Sequence, residues 1–252
     1  MVNVVNCINL ILQQPMRIFF LFVSIFLVSL AASSQVMTIK GREFGFMYAG
    51  PKVGLGFSRI SNADKSFGGG DVKFRTGMEL GIVGKFGITD RLSIQPEITF
   101  MQRGVQTDNN GFESKFKVSY LNIPVLAKYS LKALGFAKIH ALGGVYSSVR
   151  TGGEVEFKDP GGTFTQKLDD SGWRRMDYGF AIGAGAELPR KNGTWVFDVR
   201  YDYSIVDVHK SDNTYNSNKT IGISVTYLYD FVDLYKRMRD KKKQENAPVT
   251  GN

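Results

Sequence analysis

The sequence is poor in cysteine, and it has no apolar run long enough for a membrane helix. Cys7 is the single cysteine among 252 residues, so the chain cannot form an intrachain disulfide bond. No small-residue lipobox precedes Cys7, which argues against a lipid-modified cysteine. The apolar run from Ile18 to Leu30 is shorter than the roughly 20 residues that a spanning helix needs. A disulfide scaffold is excluded, and a helical membrane protein is disfavoured.

Motifs for nucleic-acid, phosphate and metal binding are also scarce. The formal charge of +9 suits an anionic partner. The excess charge is spread along the chain, however, and no basic helix or binding module is present, so we expect no nucleic-acid binding. The glycines recur at period two within predicted strands and form no phosphate-binding loop. Asp108-Asn109-Asn110-Gly111 with Glu113 lacks the full spacing of a calcium loop. We therefore expect no metal ion and no cofactor.

The N-terminus has the form of a secretory signal peptide. Met16-Arg17 supplies a positive charge, the apolar run follows, and Ala31-Ala32-Ser33-Ser34 supplies small residues before a cleavage point after Ser34. We expect residues 1–34 to be a signal peptide, with residues 1–15 as an upstream extension if translation starts at Met16. A membrane-spanning helix is the alternative. After cleavage the exported chain would contain no cysteine.

From about residue 47 the chain alternates apolar and polar residues, and we expect the barrel domain to span residues 40–231. Trp195 to Ser204 is the clearest stretch, with aromatic or apolar residues at odd positions and three charges at even positions. This pattern is typical of a strand with two unlike faces. It predicts eight strands of about 9–12 residues, which is the length of a tilted bilayer-spanning strand. Short turns alternate with long loops, which are expected at about residues 58–75, 103–116, 150–176 and 206–219.

Three prolines lie within the predicted strands. Proline cannot donate a hydrogen bond to a neighbouring strand and usually marks an edge or a bulge. We therefore expect local irregularities at Pro51, Pro96 and Pro124.

Alternation alone does not separate a membrane barrel from a soluble barrel such as a lipocalin, whose apolar side chains face inward. Three features favour an apolar face toward lipid. The polar face is rich in glycine, which suits the narrow interior of an eight-stranded barrel. It carries charges of both signs, which can pair across a closed lumen. Aromatic residues lie at both ends of the apolar face, as in the girdles of membrane barrels.

These features predict an all-β, eight-stranded antiparallel up-and-down transmembrane β-barrel and two sets of structural residues. The predicted lumen charge network consists of Lys52, Glu79, Lys85, Glu97, Lys128, Glu187, Asp198, Arg200 and Asp202. The predicted aromatic girdles are Phe86, Tyr129, Trp195 and Tyr229 at the short-turn end and Phe57, Phe100, Tyr178 and Tyr203 at the long-loop end.

The chain resembles the PorT-type outer-membrane β-barrel family of Bacteroidetes-like bacteria. The resemblance is carried by Gly50–Ser58, by Leu92-Ser93-Ile94-Gln95-Pro96-Glu97 and by Tyr120-Leu121-Asn122-Ile123-Pro124-Val125-Leu126, and it covers about residues 40–231. It implies an outer-membrane location, and the founding member implies a link to protein secretion. It supplies no catalytic residues. The basic segment 232–252 departs from a typical barrel end, and we interpret it as a solvated periplasmic tail rather than a partner-binding segment.

Three functions follow from the sequence. We favour a monomeric, non-enzymatic outer-membrane barrel that contacts lipid and offers its loops to partners. The alternative is an accessory of protein secretion that meets other envelope proteins. A lipid-modifying enzyme is the third, because Asp207, His209, Ser211 and Asp212 cluster in one predicted loop. We interpret His140 as a lumen residue rather than a metal ligand, and we expect no catalytic residues.

Overall fold

The computed structural model describes residues 37–39, 42–44, 47–62, 71–109, 112–159, 161–168, 174–191, 193–207 and 216–230. The expected signal peptide (residues 1–34) and the expected basic tail (residues 232–252) lie outside these ranges. Met1–Gly45 and Phe46–Asn252 form two separate units. In the first unit, β1 (Met37–Ile39) pairs antiparallel with β2 (Arg42–Phe44).

The second unit is a ring of antiparallel strands. Its strands are β3 (Met47–Ile60), β4 (Asp71–Gly87), β5 (Leu92–Asn109), β6 (Phe112–Leu134), β7 (Ala137–Asp159), β8 (Gly162–Lys167), β9 (Met176–Arg190), β10 (Gly193–Ser204) and β11 (Asn218–Asp230). Every strand of the ring pairs with its neighbours in the chain, except that β7 pairs with β9, and β11 closes the ring against β3. Among the described residues, the short strand β8 pairs only with the outer part of β7. The predicted eight-stranded antiparallel up-and-down barrel is confirmed.

The apolar face of the barrel points outward. Ile82 and Ile182 are 65% and 62% exposed, whereas Val196 and Leu228 of the inner face are each 1% exposed. A water-soluble protein rarely exposes a continuous apolar surface of this extent, so this belt is the surface that contacts lipid. Further members of the belt are Val53, Leu55, Met78, Leu80, Ile98, Val125, Ile139, Val145, Phe180, Phe197, Val199 and Ile223. Within the described ranges, no helix is long and apolar enough to cross a membrane.

Two of the four predicted loops are wrong, because the strands continue through them. The segment 103–116 is a hairpin in which β5 runs to Asn109 and β6 begins at Phe112. The segment 150–176 contains the end of β7 and the whole of β8. Both segments are rich in polar residues and glycine, which suggested loops. Outside the bilayer both faces of a strand meet water, so polar residues there are compatible with a regular sheet.

The irregularities predicted at the prolines take the form of gaps in the pairing rather than bulges. The β11–β3 ladder skips Gly50 and Pro51, and the β4–β5 ladder skips Gln95 and Pro96. The pairing of β5 with β6 passes from Pro96–Val125 to Thr99–Asn122 without changing register, and Pro124 pairs in an unbroken ladder with Tyr146. Register shifts occur instead between Phe74 and Glu79 of β4 and at two places in the β6–β7 pairing. A proline removes one ladder hydrogen bond, whereas a bulge requires an extra residue.

The outward face predicts a position-dependent effect of charge. Val199→Arg, in the middle of β10, should lower the free energy of unfolding in lipid vesicles by roughly 2–4 kcal/mol, because arginine near the bilayer midplane meets hydrocarbon. Phe112→Arg is the matched control, since Phe112 is 59% exposed but lies at the end of β6 that extends furthest from the short turns. Urea titration followed by heat-modifiable gel migration measures both variants. Equal stability of the two variants would contradict a lipid-facing position for Val199.

Candidate functional site

The inside of the ring is filled by charged side chains at three levels, which we call the lower, middle and upper tiers. The lower tier lies toward the short turns and contains Lys85, Lys128, His140, Glu187 and Asp198. The middle tier contains Lys52, Glu79, Glu97 and Arg200, and the upper tier contains Arg103, Asp177 and Asp202. Except for Lys85, which is half-buried, all these residues are buried. The ring thus places all nine residues of the predicted charge network on its inner side.

The middle tier is a closed square of two cations and two carboxylates. The Lys52 ammonium lies 2.8 Å from Glu97 Oε2 and 3.1 Å from Glu79 Oε1. Arg200 donates from Nη1 to Glu97 at 2.9 Å and from Nη2 to Glu79 at 3.0 Å. Gln95 Nε2 donates to the other oxygen of Glu97 at 2.7 Å. Such pairing offsets the cost of removing four charges from water.

The upper tier is built around Arg103, which is 0% exposed. Its guanidinium donates to Asp177 Oδ2 at 2.8 Å and to Asp202 Oδ2 at 3.2 Å. It also lies 4.8 Å from the ring centroid of Tyr146 and 5.6 Å from that of Tyr120. Two carboxylates and two aromatic faces therefore hold one cation, through ion pairs and cation–π contacts.

Asp202 links the upper tier to the middle tier. Its Oδ1 atom lies 2.9 Å from Arg200 Nε, in an ion pair without hydrogen-bond alignment, while Oδ2 accepts from Arg103. Asp177 accepts a further bond from the Asn218 amide at 3.2 Å and another from the Ser204 hydroxyl. The carboxylates of the upper tier are thus committed to partners within the lumen.

The lower tier pairs Lys85 with Glu187 and His140 with Asp198. The Lys85 ammonium donates to both oxygens of Glu187, at 2.7 and 2.8 Å. His140 Nε2 contacts Asp198 Oδ1 at 2.5 Å. Lys128 Nζ lies 3.5 Å from Glu187 without forming a hydrogen bond. His140 is therefore held by a carboxylate inside the lumen, in accord with its interpretation as a lumen residue.

Glycine makes room for side chains of the lower and upper tiers. A methyl group at Gly185 would lie 2.6 Å from Asp198 Oδ1 and 2.7 Å from His140 Nε2. At Gly179 it would lie 2.7 Å from the ring of Tyr146. Both distances are shorter than van der Waals contact. The charged and aromatic side chains therefore fill space that opposing residues leave empty, as the narrow interior of an eight-stranded ring requires.

Above the upper tier, an apolar cluster closes the inner side of the ring. It consists of Ile60, Val105, Phe116 and Val155, all of which are at most 6% exposed, with Val72 and Leu168 packed against them. Water and solutes therefore meet packed side chains at this end rather than an open channel.

The predicted aromatic girdle residues lie on the outer surface. Trp195, Tyr129 and Tyr229 are 43–47% exposed near the short turns, and Phe86 is partly exposed there. Tyr227 joins this group, because its ring centroid lies 4.7 Å from that of Trp195 and 4.6 Å from that of Tyr229.

At the long-loop end, Tyr178 and Tyr203 are 40% and 39% exposed near strand ends, and Phe57 is partly exposed. The end position predicted for Phe100 is wrong. Phe100 is 40% exposed, but β5 continues well beyond it to Asn109. The error follows from ending β5 too early in the sequence.

Outside the ring, β6 and β7 carry exposed charge pairs. Lys117 Nζ donates to Glu154 at 3.1 Å and to Glu156 at 2.9 Å. The hydrogen bond from Lys117 lowers the pKa of the Glu156 carboxyl and raises the pKa of Lys117 itself. These cross-strand pairs help explain why a polar segment remains a regular sheet.

The residues considered for catalysis or metal binding do not form a site among the described residues. His209, Ser211 and Asp212 lie outside the described ranges, and Asp207 accepts a hydrogen bond from the Asn216 amide at 3.2 Å. The described ranges contain no group of three His, Cys, Asp or Glu residues that could hold a metal ion. Of the calcium-like segment, Asp108 binds the Lys73 ammonium at 2.8 Å.

Sequence reasoning missed Arg103 and Asp177, because both fell at the edges of predicted loops. One signal could have found Arg103. Inward positions of β5 are odd-numbered from Ser93 onward, and Arg103 continues that series. Asp177 is the first residue of the predicted strand 177–188 and shares its inward parity with Gly179.

The ion pairs of the three tiers predict that replacing one cation inside the ring by a neutral residue destabilises the barrel. Arg200→Met should lower the free energy of unfolding by about 3–5 kcal/mol, because it leaves an excess of buried carboxylates. Lys73→Met is the control: it breaks an ion pair whose lysine is 51% exposed, and it should cost about 1 kcal/mol or less. Urea unfolding in detergent measures both.

A second substitution separates the effect of charge on stability from the effect of side-chain shape. Adding Glu97→Gln to the Arg200→Met variant should restore part of the lost stability, because it removes one unpaired negative charge. A further loss of stability in the double variant would contradict charge balance as the cause.

Comparisons with known proteins agree with a membrane barrel. A family model described as outer membrane protein beta-barrel domain matches residues 40–210. No curated protein matches the chain significantly. The chain is similar to the solved structure of Ail, the attachment invasion locus protein of Yersinia pestis, with 18% identity, a TM-score of 0.39 and coverage of 73% of this chain and 100% of Ail.

Two further solved structures are similar at the same level. Neisserial surface protein A has 12% identity and a TM-score of 0.42, with coverage of 72% of this chain and 96% of that chain. A major outer membrane protein from Thermus thermophilus has 15% identity and a TM-score of 0.40, with coverage of 73% of this chain and 99% of that chain. At these identities and TM-scores, the three similarities add no structural information to the ring of strands already described.

The family match begins before β3 and extends past the end of β10. Together with the apolar outer belt and the charged interior, it points to the bacterial outer membrane. The chain belongs to the outer membrane protein beta-barrel domain family.

Proposed function

We propose that the chain is a non-conducting, non-enzymatic outer-membrane barrel that binds partners at the cell surface through strands extending beyond the ring. The observation that carries this proposal is the length of β6 and β7, which have 23 residues each. A tilted strand crosses a bilayer with about 9–11 residues. More than half of each strand is therefore available outside the hydrocarbon region.

The extended part lies on the side that faces the medium. Membrane barrels place short turns in the periplasm and longer connections outside the cell. Here the connections after β4, β6 and β9 are short, whereas those after β3 (61–70) and β10 (205–217) are long. The β5–β6 and β7–β8 hairpins lie at the same end as these long connections. These hairpins are accordingly the part of the described chain that reaches furthest from the outer leaflet.

The hairpins carry exposed aromatic side chains. Phe112, Phe157 and Phe164 are 59%, 43% and 65% exposed. Phe157 lies opposite Phe164 in the β7–β8 ladder and two residues beyond the buried Val155. These side chains therefore continue the inward face of the sheet above the apolar cluster. Exposed aromatic groups on a rigid sheet are typical anchors of protein interfaces.

The filled lumen supports the non-conducting part of the proposal. Ion flow would have to pass the upper tier, where Arg103 is enclosed by two carboxylates and two tyrosines. The apolar cluster lies beyond that tier. The reconstituted protein should therefore give planar-bilayer conductance at the lipid background, with heat-modifiable migration as the check that it is folded. Steady conductance well above background would contradict the proposal.

Photocrosslinking tests the partner-binding part. Phe164 replaced by benzoyl-phenylalanine should give a discrete adduct at the surface of intact cells, and Phe157→Ser in the same chain should abolish that adduct. Phe136 is the matched control, because it is also 65% exposed but lies in a turn at the other end. Absence of an adduct at position 164, or one that survives Phe157→Ser, would contradict an interface on these hairpins.

A second candidate is an accessory role in protein secretion, as the resemblance to PorT-type barrels implies. It is favoured by the position of the chain ends of the ring. Tyr48 pairs with Asp230 at the short-turn end, so the basic segment 232–252 starts on the periplasmic side. Deletion of residues 234–252 should then impair secretion while the barrel remains heat-modifiable. Normal secretion by the truncated protein would exclude this role for the segment.

A further inference from the structure

A cavity opens at the short-turn end of the ring, and we call it the turn-end cavity. Its volume is about 600 Å³, which lies in the usual range for small-molecule sites. The turn between β4 and β5 forms one wall. Thr89 fixes this turn by accepting a hydrogen bond from the Leu92 amide at 2.9 Å, and the Arg91 carbonyl accepts one from the Ser130 amide at 2.7 Å. The turn that forms this wall of the cavity is therefore held in place by hydrogen bonds.

Two buried hydroxyl groups in this cavity have no partner among the described residues. Ser93 is 4% exposed and Ser130 is 7% exposed, and both line the cavity. Neither Oγ atom forms a hydrogen bond within the described part of the chain. Buried hydroxyl groups are normally paired, so two unpaired ones in the same cavity indicate that something else binds them.

The charges that line the cavity favour an anion. Lys85 and Glu187 neutralise each other at the floor. Arg91, Lys132 and Lys138 remain, together with Asp90, so three cations face one carboxylate and leave a net charge of +2. No ion pair within the described ranges engages these three cations. Hydroxyl, ammonium and guanidinium groups are all hydrogen-bond donors, and donors of this kind bind oxyanions.

We propose that the turn-end cavity binds a phosphate group on the periplasmic side of the membrane. A phosphate monoester carries about −1.5 to −2 charges at pH 7, which matches the net charge of the lining more closely than a single carboxylate does. The hydroxyl groups of Ser93 and Ser130 donate to phosphate oxygens at the floor, and Arg91, Lys132 and Lys138 neutralise the phosphate at the rim. The group belongs either to a soluble phosphate compound or to a phospholipid headgroup, whose phosphodiester carries a single negative charge.

The basic segment 232–252 has an excess of positive charge, which is the same sign as the net charge of the cavity lining. Phosphate binding is also independent of the partner proposed for the outer hairpins, which lie at the opposite end of the ring.

Isothermal titration calorimetry of the full chain in maltoside micelles tests the proposal, because these micelles contain no phosphate. Inorganic phosphate is the probe, added at constant ionic strength with chloride as the competing salt. We expect saturable binding. Lys132→Gln with Lys138→Gln should weaken it about tenfold or more, since two charge-assisted contacts are lost. Lys158→Gln with Lys191→Gln removes the same charge outside the cavity and should change affinity less than about twofold.

The serines provide a second, independent readout. Ser93→Ala with Ser130→Ala should weaken phosphate binding several-fold without lowering the unfolding temperature, because neither hydroxyl contributes a hydrogen bond within the described chain. Unchanged phosphate affinity in this variant would overturn the proposal. So would absence of saturable phosphate binding by the unmodified chain, or equal weakening by the two lysine pairs.

Phosphatidylglycerol added to the micelles identifies the source of the phosphate. If the lipid displaces inorganic phosphate, the site binds a headgroup. If phosphate binds with the same affinity in the presence of the lipid, the site binds a soluble phosphate compound. Both outcomes support the phosphate site.

Discussion

The structure depends on the pairing of charges inside a ring too narrow to hold them with water. Eight strands enclose a space that side chains just fill. A charge placed there loses its hydration and must recover the energy from an opposite charge nearby. Glu97 illustrates the constraint: it is 2% exposed, and its two oxygens accept from Lys52, Arg200 and Gln95. These partners come from β3, β5 and β10, so the network ties distant strands together.

The same constraint explains the distribution of small residues. Long charged side chains can meet at the centre only if the wall opposite them is bare. Gly185 has no side chain at the point where His140 meets Asp198, and Gly179 has none beside Tyr146. The outer face of a membrane barrel is apolar because it contacts lipid. If the inner face were apolar as well, the alternation that distinguishes the two faces would be lost. The charged tiers of its interior are therefore mutually neutralised, and glycine is part of that packing rather than a flexible element.

The sequence was sufficient for the ring but insufficient for its extensions. Within the membrane, one face meets hydrocarbon and the other meets charge, so the period-two pattern is strong, and Asp198, Arg200 and Asp202 could be placed inward from sequence alone. Beyond the membrane both faces meet water, the pattern weakens, and the ends of β5, β6 and β7 looked like loops. Arg103 was missed for this reason. Lys117 illustrates the difficulty, because its contacts with Glu154 and Glu156 depend on a register that no local pattern reveals.

The positions of the two proposed binding surfaces follow from where charges inside the barrel are neutralised. In the middle and upper tiers each carboxylate already has partners, so a ligand entering there would have to replace bonds of 2.8–3.2 Å without the help of water. Binding a ligand costs least where polar groups or apolar surface are still unpaired. The two ends of the ring satisfy this condition in opposite ways, with exposed phenylalanines on the outer hairpins and unpaired hydroxyl and cationic groups in the turn-end cavity. The filled lumen separates these surfaces, so each end can bind a chemically different partner without a path between them.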